Sequence, residues 1–592
     1  MKIESLNRSK MVDIDLPFDQ DGVTIDGLKV TGFDAVKRMI DRTVDKGFDT
    51  ISFNVSVPIN RETGELQTIM PPGHMDKPFP ADIWRMYEYV ESLGLRAHLE
   101  LLIRDPITDL MIMKDTVGPN FNSDRMFESV KSYVVPIAEQ AQKFGVDGIQ
   151  LSRYNSGFDT SDYRDQWIDL INGVRNVYTG SIGYANDFRS NNVVWDLVDN
   201  VFIGLGLALS TTPLYDAEEI VPLYAQDNVL GQVEQVLERY PEKSVYFGGL
   251  AFSPGQPGLG WIENLGSYVW GEDSVAEIPG QSFHRVFPEE RINFPMAEAW
   301  IEGFFEFFGN YLSDDMAGFQ IMQYAPWAEL GWIRNPSGNL VAESYSSFAR
   351  ASFLLNYQPE SEAVIEDYLD RGWGFKTLHY GTQGNDVLLG SEIDDKFFLS
   401  AGDDQLVGAD GLDMLVVSAS RDQFVLTQFG NKWQLANNGR SEFTGTKTLE
   451  GVERIDFMDI NVALDTEGVA GQAYRIYKAA FDRAPDLTGL GYWIKAMDAG
   501  AALDSVAAGF VSSSEFQTTY GTNISNTDFI TLLYANVLDR TPDDSGFDYW
   551  LTRMSEGMTR EQVLANFSES VENKANVAEL IADGIQYTAF MG

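Results

Sequence analysis

Asp386, Asp395, Asp404 and Asp413 stand nine residues apart, and Asp394, Asp403 and Asp410 crowd the same stretch. Two positions after each of the four lies an apolar residue, Leu388, Phe397, Leu406 or Leu415, and two positions before lie Gly384, Ile393, Gly402 and Gly411. Carboxylates at a fixed short period offer oxygen ligands, which suit a hard cation better than a transition metal. Without a cation they repel one another, so folding of this stretch is expected to be coupled to one. The rest of the chain narrows the chemistry by what it lacks. With no Cys there are no disulfides, thiol nucleophiles or Cys-based zinc sites. The four His, His74, His98, His284 and His379, contain no pair at helical metal-ligand spacing, so transition-metal and Ser-His-Asp chemistry are poorly supplied.

The elements that must position these residues follow from hydrophobic period. From about residue 11 to 356, short apolar, β-branched runs alternate with segments of helical period. The runs begin at Val12, Thr50, Arg96, Gly148, Ser181, Val201, Val245 and Gly318, and eight βα units predict a (β/α)8 TIM barrel with insertions over residues 1–356. A linker is expected at 357–380, a Gly- and Asp-rich segment of nine-residue repeat at 381–417 and a β-rich extension at 418–466. Residues 467–592 read as a small all-α domain, duplicated at an offset of 57: Tyr477, Asp482, Arg483, Pro485, Asp486, Tyr492 and Trp493 recur as Tyr534, Asp539, Arg540, Pro542, Asp543, Tyr549 and Trp550. The fold class is multidomain.

Charge bears on partners. The 592 residues include 88 Asp plus Glu against 43 Lys plus Arg, a net charge of −45, which argues against nucleic acid or an anionic membrane surface. No run approaches the ~18 apolar residues of a membrane span, and residues 1–8 lack the apolar core of a cleaved secretory signal.

The nine-residue pattern resembles the RTX, or hemolysin-type, repeat G-G-x-G-x-D-x-U-x. The resemblance implies that 381–417 is a short calcium-binding parallel β-roll, with glycine turns whose carbonyls and Asp carboxylates wrap Ca2+ between its coils. Its ligands here would be Asp386, Asp395, Asp404 and Asp413 with Gly384, Gly402 and Gly411. Ile393 and Leu399 stand where the repeat asks for glycine, which implies a weakened turn. The resemblance also implies export by the type I secretion machinery with an uncleaved C-terminal signal, hence an extracellular or cell-surface protein that folds on meeting calcium. The missing N-terminal signal, the absence of Cys and the acidity agree with that expectation. The duplicated unit, with its D-R-x-P-D-x-x-G-x-x-Y-W core, resembles the helical domain of unknown function often attached to secreted RTX and surface-layer proteins. Its Asp-rich turns are expected to cap helices and its paired aromatics to be core.

Most of residues 11–350 resemble glycoside hydrolase family 113, β-mannanases on a TIM barrel. The most specific piece runs from Tyr163-Arg164-Asp165-Gln166-Trp167-Ile168 through Tyr184-Ala185-Asn186 to Trp195-Asp196-Leu197-Val198-Asp199. The resemblance implies two Glu, an acid/base after strand four and a nucleophile after strand seven. Here the first position falls on Arg153 or Tyr154 and the second on Gly249. Arginine keeps its proton and glycine has no side chain, so double displacement is closed unless another carboxylate pair serves. Candidates for such a rescue are Glu100 and Asp187, with Asp159 and Glu329; their simpler reading is capping or solvated loop charge. Tyr324, Trp327 and Trp332 after strand eight, and Trp261 and Trp270 in the insertion after strand seven, are candidate sugar-stacking faces.

The expectation is a secreted, calcium-dependent protein with a catalytically dead barrel. It would serve as a self-associating structural component of a surface layer, filament or matrix, or bind polysaccharide or cell-surface glycan. The alternative is an active secreted hydrolase of β-mannan or a related polysaccharide with relocated carboxylates.

Overall fold

The apolar runs of the first half lie side by side as eight parallel strands of a closed barrel. They are β1 (Ser9–Ile14), β2 (Thr50–Pro58), β3 (Arg96–Arg104), β4 (Gly148–Arg153), β5 (Ser181–Asp187), β6 (Asn200–Gly204), β7 (Ser244–Leu250) and β8 (Gly318–Tyr324). Each pairs with its neighbour in sequence, and β8 closes on β1. The structure, a computed structural model, describes residues 9–14, 23–25, 28–30, 32–67, 83–106, 111–153, 157–187, 192–204, 214–226, 229–250, 275–276, 284–285, 294–324, 359–372, 374–440 and 443–590. It divides into two compact units, Met1–Lys376 and Thr377–Gly592.

The continuous apolar character of the barrel strands has a simple cause: both faces are covered. In β3 every residue from Ala97 to Ile103 is buried, as a strand with helices outside and packed side chains inside requires. The covering helices are α1 (Gly32–Asp45), α2 (Ile83–Ser92), α3 (Ser123–Lys143), α4 (Arg164–Arg175), α5 (Ala217–Tyr224), α6 (Leu230–Arg239) and α7 (Phe294–Tyr311). Helix α3 starts where the Asn122 side chain accepts the Arg125 amide, satisfying one of the free amides of its first turn. Inside the barrel, Met11, Ala185, Phe202, Tyr246 and Ala317 form one cluster. The Phe202 and Tyr246 rings stack at 4.9 Å, in space left open because Gly183 and Gly248 have no Cβ to meet Phe202. In α7, Phe304, Phe305, Phe307 and Phe308 are all buried, against Phe247, Phe319, Tyr224 and Tyr368, so these rings are used within this unit.

The segment expected as a linker is not one. Residues Pro359–Arg371 form helix α8, whose Tyr368 hydroxyl donates to Glu306 of α7 at 2.5 Å and whose Glu362 is paired with Arg42 of α1. Proline at the first helical position misses no hydrogen bond there, which is why the segment could be read as a break. Farther on, Leu378–Tyr380 is already a strand of the second unit, β9.

In that unit the chain alternates between two sheets every nine residues. Strands β9, β11 (Lys396–Phe398) and β13 (Met414–Val417) pair in parallel in one sheet; β10 (Val387–Leu389) and β12 (Asp404–Val407) pair in parallel in the other. The apolar residue two positions after each repeat Asp points between the sheets: Phe397, Leu406 and Leu415 are buried there and Leu388 packs at the edge. The roll does not stop at residue 417. A hairpin, β14 (Phe424–Phe429) and β15 (Lys432–Asn437), intervenes, and then β16 (Thr446–Glu450) joins β12 and β17 (Arg454–Phe457) joins β13, both in parallel. The β-rich segment therefore continues the same two sheets.

Eight helices follow as two copies of four: α9 (Val469–Phe481), α10 (Leu487–Asp498), α11 (Leu503–Ser512) and α12 (Ser514–Tyr520), then α13 (Asn526–Leu538), α14 (Asp544–Ser555), α15 (Arg560–Ser568) and α16 (Val571–Ala578). The Asp-rich turns are caps in both copies. Asp482 and Asp539 end helices in the left-handed conformation, at φ 50° and 57°, while Asp486 and Asp543 accept the Gly489 and Gly546 amides at the next helix starts. Trp493 and Trp550 pack on the helical core, but Tyr492 and Tyr549 are exposed. This region is not wholly helical: β19 (Ile585–Tyr587) pairs with β18 (Asn461–Ala463) at the edge of a roll sheet. Among the described residues no helix is long and apolar enough to cross a membrane.

Candidate functional site

Two places collect the polar residues singled out by sequence, the barrel interior and the turns of the roll. In the barrel, Arg153 closes β4 and Gly249 is the next-to-last residue of β7. Tyr154, Glu329, Trp261, Trp270, Trp327 and Trp332 lie outside the described residues, and of Asp187 and Tyr324, which end β5 and β8, only the strand backbone is described. Glu100 lies midway along β3, in register with Asn54 of β2 and Gln150 of β4. It is fully buried and accepts a hydrogen bond from the Gln150 amide. The other amide atoms of this row, Asn54 Oδ1 and Gln150 Oε1, are buried acceptors without a partner. Asp159 follows β4, is almost fully buried, and accepts from the Gly157 backbone at 3.1 Å and from the Asn186 amide. Burial pushes its carboxyl above the ordinary Asp range.

In the roll, the turns form two stacks. One holds residues 381–386, 399–404 and 443–447, which lead into β10, β12 and β16; the other holds 390–395, 408–413 and 451–453, which lead into β11, β13 and β17. Successive turns of a stack are tied by backbone amides donating to carboxylates: Asp386 to Asp404 Oδ1 (3.0 Å), Asp395 to Asp413 Oδ1 (2.9 Å) and Asp413 to Glu453 Oε2 (3.0 Å). Glycine is needed where one turn lies against the last. A Cβ on Gly402 would fall on the Gly384 carbonyl and one on Gly445 on the Gly402 carbonyl, and both residues have positive φ, 97° and 85°. A Cβ on Gly384 would meet only the Thr382 hydroxyl, at an ordinary contact distance of 3.6 Å, because Gly384 begins its stack. Ile393 begins the other, so the expected weakening of its turn has no physical basis there.

The four repeat carboxylates have different partners. Asp386 is held by the Thr382 amide (2.7 Å) and hydroxyl. Asp395 accepts from the Ser391 amide (2.6 Å) and hydroxyl (3.1 Å), and its other oxygen meets His379 Nε2 at 2.8 Å. Asp404 is bonded by the Ser400 hydroxyl (2.9 Å) and by the Lys447 ammonium (2.9 Å), with both charged side chains buried. Lys447 also reaches the Gly402 carbonyl at 2.5 Å. Asp413 breaks the series. The residue four positions before it, where the other turns carry Thr382, Ser391 and Ser400, is Ala409, and Asp413 Oδ2 is buried without a partner. Burial, then the Glu453, Asp395 and Asp394 charges, push its carboxyl up to about 7. Sequence spacing identified the four aspartates; Lys447, His379 and the serine and threonine hydroxyls were missed.

These partners test whether the turns suit a cation. Among the described residues, no group of three or more His, Asp or Glu comes together to hold a metal ion, so any cation would need backbone carbonyls as well. The Asp404 turn does not fit, because an ammonium already sits on its carboxylate and on the Gly402 carbonyl. The Asp413 turn fits: a buried, unpartnered carboxylate oxygen beside other carboxylates is what a hard cation would satisfy.

A model of a domain of unknown function (DUF4214) matches residues 472–517 and 507–577, within the helical duplication. No curated protein matches. Among solved structures, a GH113 β-1,4-mannanase is 15% identical with a TM-score of 0.41, over 62% of this chain and 99% of that one. A GH113 β-mannanase from Alicyclobacillus acidocaldarius is 14% identical at 0.39, over 62% and 97%, and a GH5_18 protein from Bifidobacterium longum is 9% identical at 0.36, over 65% and 83%. At these scores the likenesses decide nothing about chemistry, and the barrel stands on its own strand pairings.

Proposed function

We propose that this is a secreted, extracellular protein whose barrel holds glycan without cleaving it and whose roll takes up calcium at the Asp413 turn. One observation carries the first half. The positions that the family resemblance assigns to catalytic carboxylates, Arg153 or Tyr154 at the end of β4 and Gly249 on β7, supply none. Retaining hydrolysis needs a pair of carboxyls about 5 to 5.5 Å apart, and neither position can contribute. The aromatic residues that the sequence sets after strands seven and eight, Trp261, Trp270, Tyr324, Trp327 and Trp332, would supply flat faces for sugar rings. For calcium, the ligands would come from Asp413 and Glu453 with backbone carbonyls, and the ion would cancel the charge crowded there. Type I export rests on the resemblance of the nine-residue repeat, and self-association on that of the duplicated helical unit to surface-layer proteins.

The test is affinity electrophoresis of the full chain in gels containing mannan or another β-glycan, with reducing ends measured in the same samples. Retardation without release supports a holding role. A second reading has one observation in its favour: Asp159 is buried with a raised pKa, as a general acid needs. Release of reducing ends that disappears in Asp159→Asn would establish that reading and end the first.

A further inference from the structure

We propose that Lys447 is a built-in cation: its ammonium permanently fills the oxygen site of the Asp404 turn, so that this stack is closed to calcium and folds without it. The inference rests on the reading that the roll takes up calcium at all. Asp404 pairs with Lys447 across β12 and β16, and Gly402 corresponds to Gly445, with both glycines in the left-handed region. Position by position, the turn at 445–447 therefore repeats the turn at 402–404, and Lys447 stands where the repeat places its aspartate. The sign of the charge is reversed at that one position.

The consequence is local neutrality. Lys447 Nζ lies 2.9 Å from Asp404 Oδ2 and 2.5 Å from the Gly402 carbonyl oxygen, and the two charged side chains are 3% and 1% exposed. A carboxylate oxygen and a backbone carbonyl are hard-cation donors, and here they already hold a positive charge that cannot diffuse away. With the Ser400 hydroxyl and the Asp386 amide also bonded to Asp404, both of its oxygens are satisfied. A second cation in that turn would face the ammonium at close range. In the other stack the same register position carries Glu453 opposite Asp413, acid facing acid, and among the described residues no ammonium or guanidinium is bonded to the Asp413 carboxylate.

The test uses the full chain, by calcium-binding stoichiometry and by thermal melts in calcium and in chelator. Lys447→Asp restores the acidic register, and it is expected to bind one more calcium than the wild type and to recover in calcium a melting point lost in chelator. Lys447→Met keeps the bulk without the charge; its melting point is expected to fall by about 10 °C, because breaking a buried pair leaves Asp404 uncompensated, and calcium is expected not to restore it. The inference is overturned if Lys447→Asp binds no more calcium than the wild type, if calcium fails to restore it, or if Lys447→Met melts like the wild type. A wild type that binds no calcium removes the Asp413 reading alone, since the Lys447 arms are read as differences.

Discussion

The two turn stacks of the roll each carry two repeat aspartates 18 residues apart and differ in how the charge is cancelled. In the stack of Asp386 and Asp404, hydroxyls and a buried lysine bond both carboxylates; in the stack of Asp395 and Asp413, His379 and Ser391 bond the first, and among the described residues no side chain bonds the second, whose Oδ2 is left without a partner. A periodic acidic motif therefore shows where cations are wanted, but the residues outside the motif decide whether the protein supplies the cation itself.

The largest expected effect sharpens the stacking geometry shared by both. Gly402→Ala would place a Cβ on the Gly384 carbonyl at a φ of 97° and is expected to cost on the order of 3 kcal/mol, read as a lower melting point. Gly384→Ala, at the open end of the same stack, is expected to stay within about 0.5 kcal/mol of the wild type. Equal losses would show that the turns do not lie against one another as described.

Next comes pH. Asp413 has a folded pKa near 7, above the unfolded value of about 3.9, so the folded state binds its proton more tightly. Its favourable contribution is fully present below about pH 4 and is lost as pH rises through 7. In chelator, melting is expected to fall by about 5 °C between pH 5 and pH 8 through this residue, and that component should vanish in Asp413→Asn. Calcium should abolish it in the wild type, since a cation favours the ionised carboxylate. A pH response unchanged in Asp413→Asn would place the titrating group elsewhere.

The smallest effect concerns Ala409, which adopts φ 79° in the one turn that lacks a hydroxyl on its aspartate. Ala409→Gly relieves that conformation and is expected to stabilise the protein by about 1 kcal/mol without altering calcium binding.

Much of this architecture was legible in the chain because its cause is local. Barrel strands buried on both faces read as unbroken apolar runs, and the nine-residue coil repeats its aspartate and its core residue in each turn. What was not legible depends on residues brought in from elsewhere. Lys447 reaches Asp404 only after a hairpin that interrupts the coil, and His379 reaches Asp395 from a segment that reads as a linker. Helix α8 begins with a proline, which suggests a break until its contacts with α7 are known. In the barrel, the strands ending near Arg153 and Gly249 were legible as apolar runs, but the pairing of Glu100 with Gln150 needed the register of β3 and β4.

The most direct measurement is an anomalous difference map from crystals of the full chain grown in calcium. The account predicts a calcium peak beside Asp413 Oδ2 and none in the Asp404 turn, where the Lys447 ammonium remains on the carboxylate. A peak between Asp386 and Asp404 with Lys447 displaced, or an empty Asp413 turn, would contradict it.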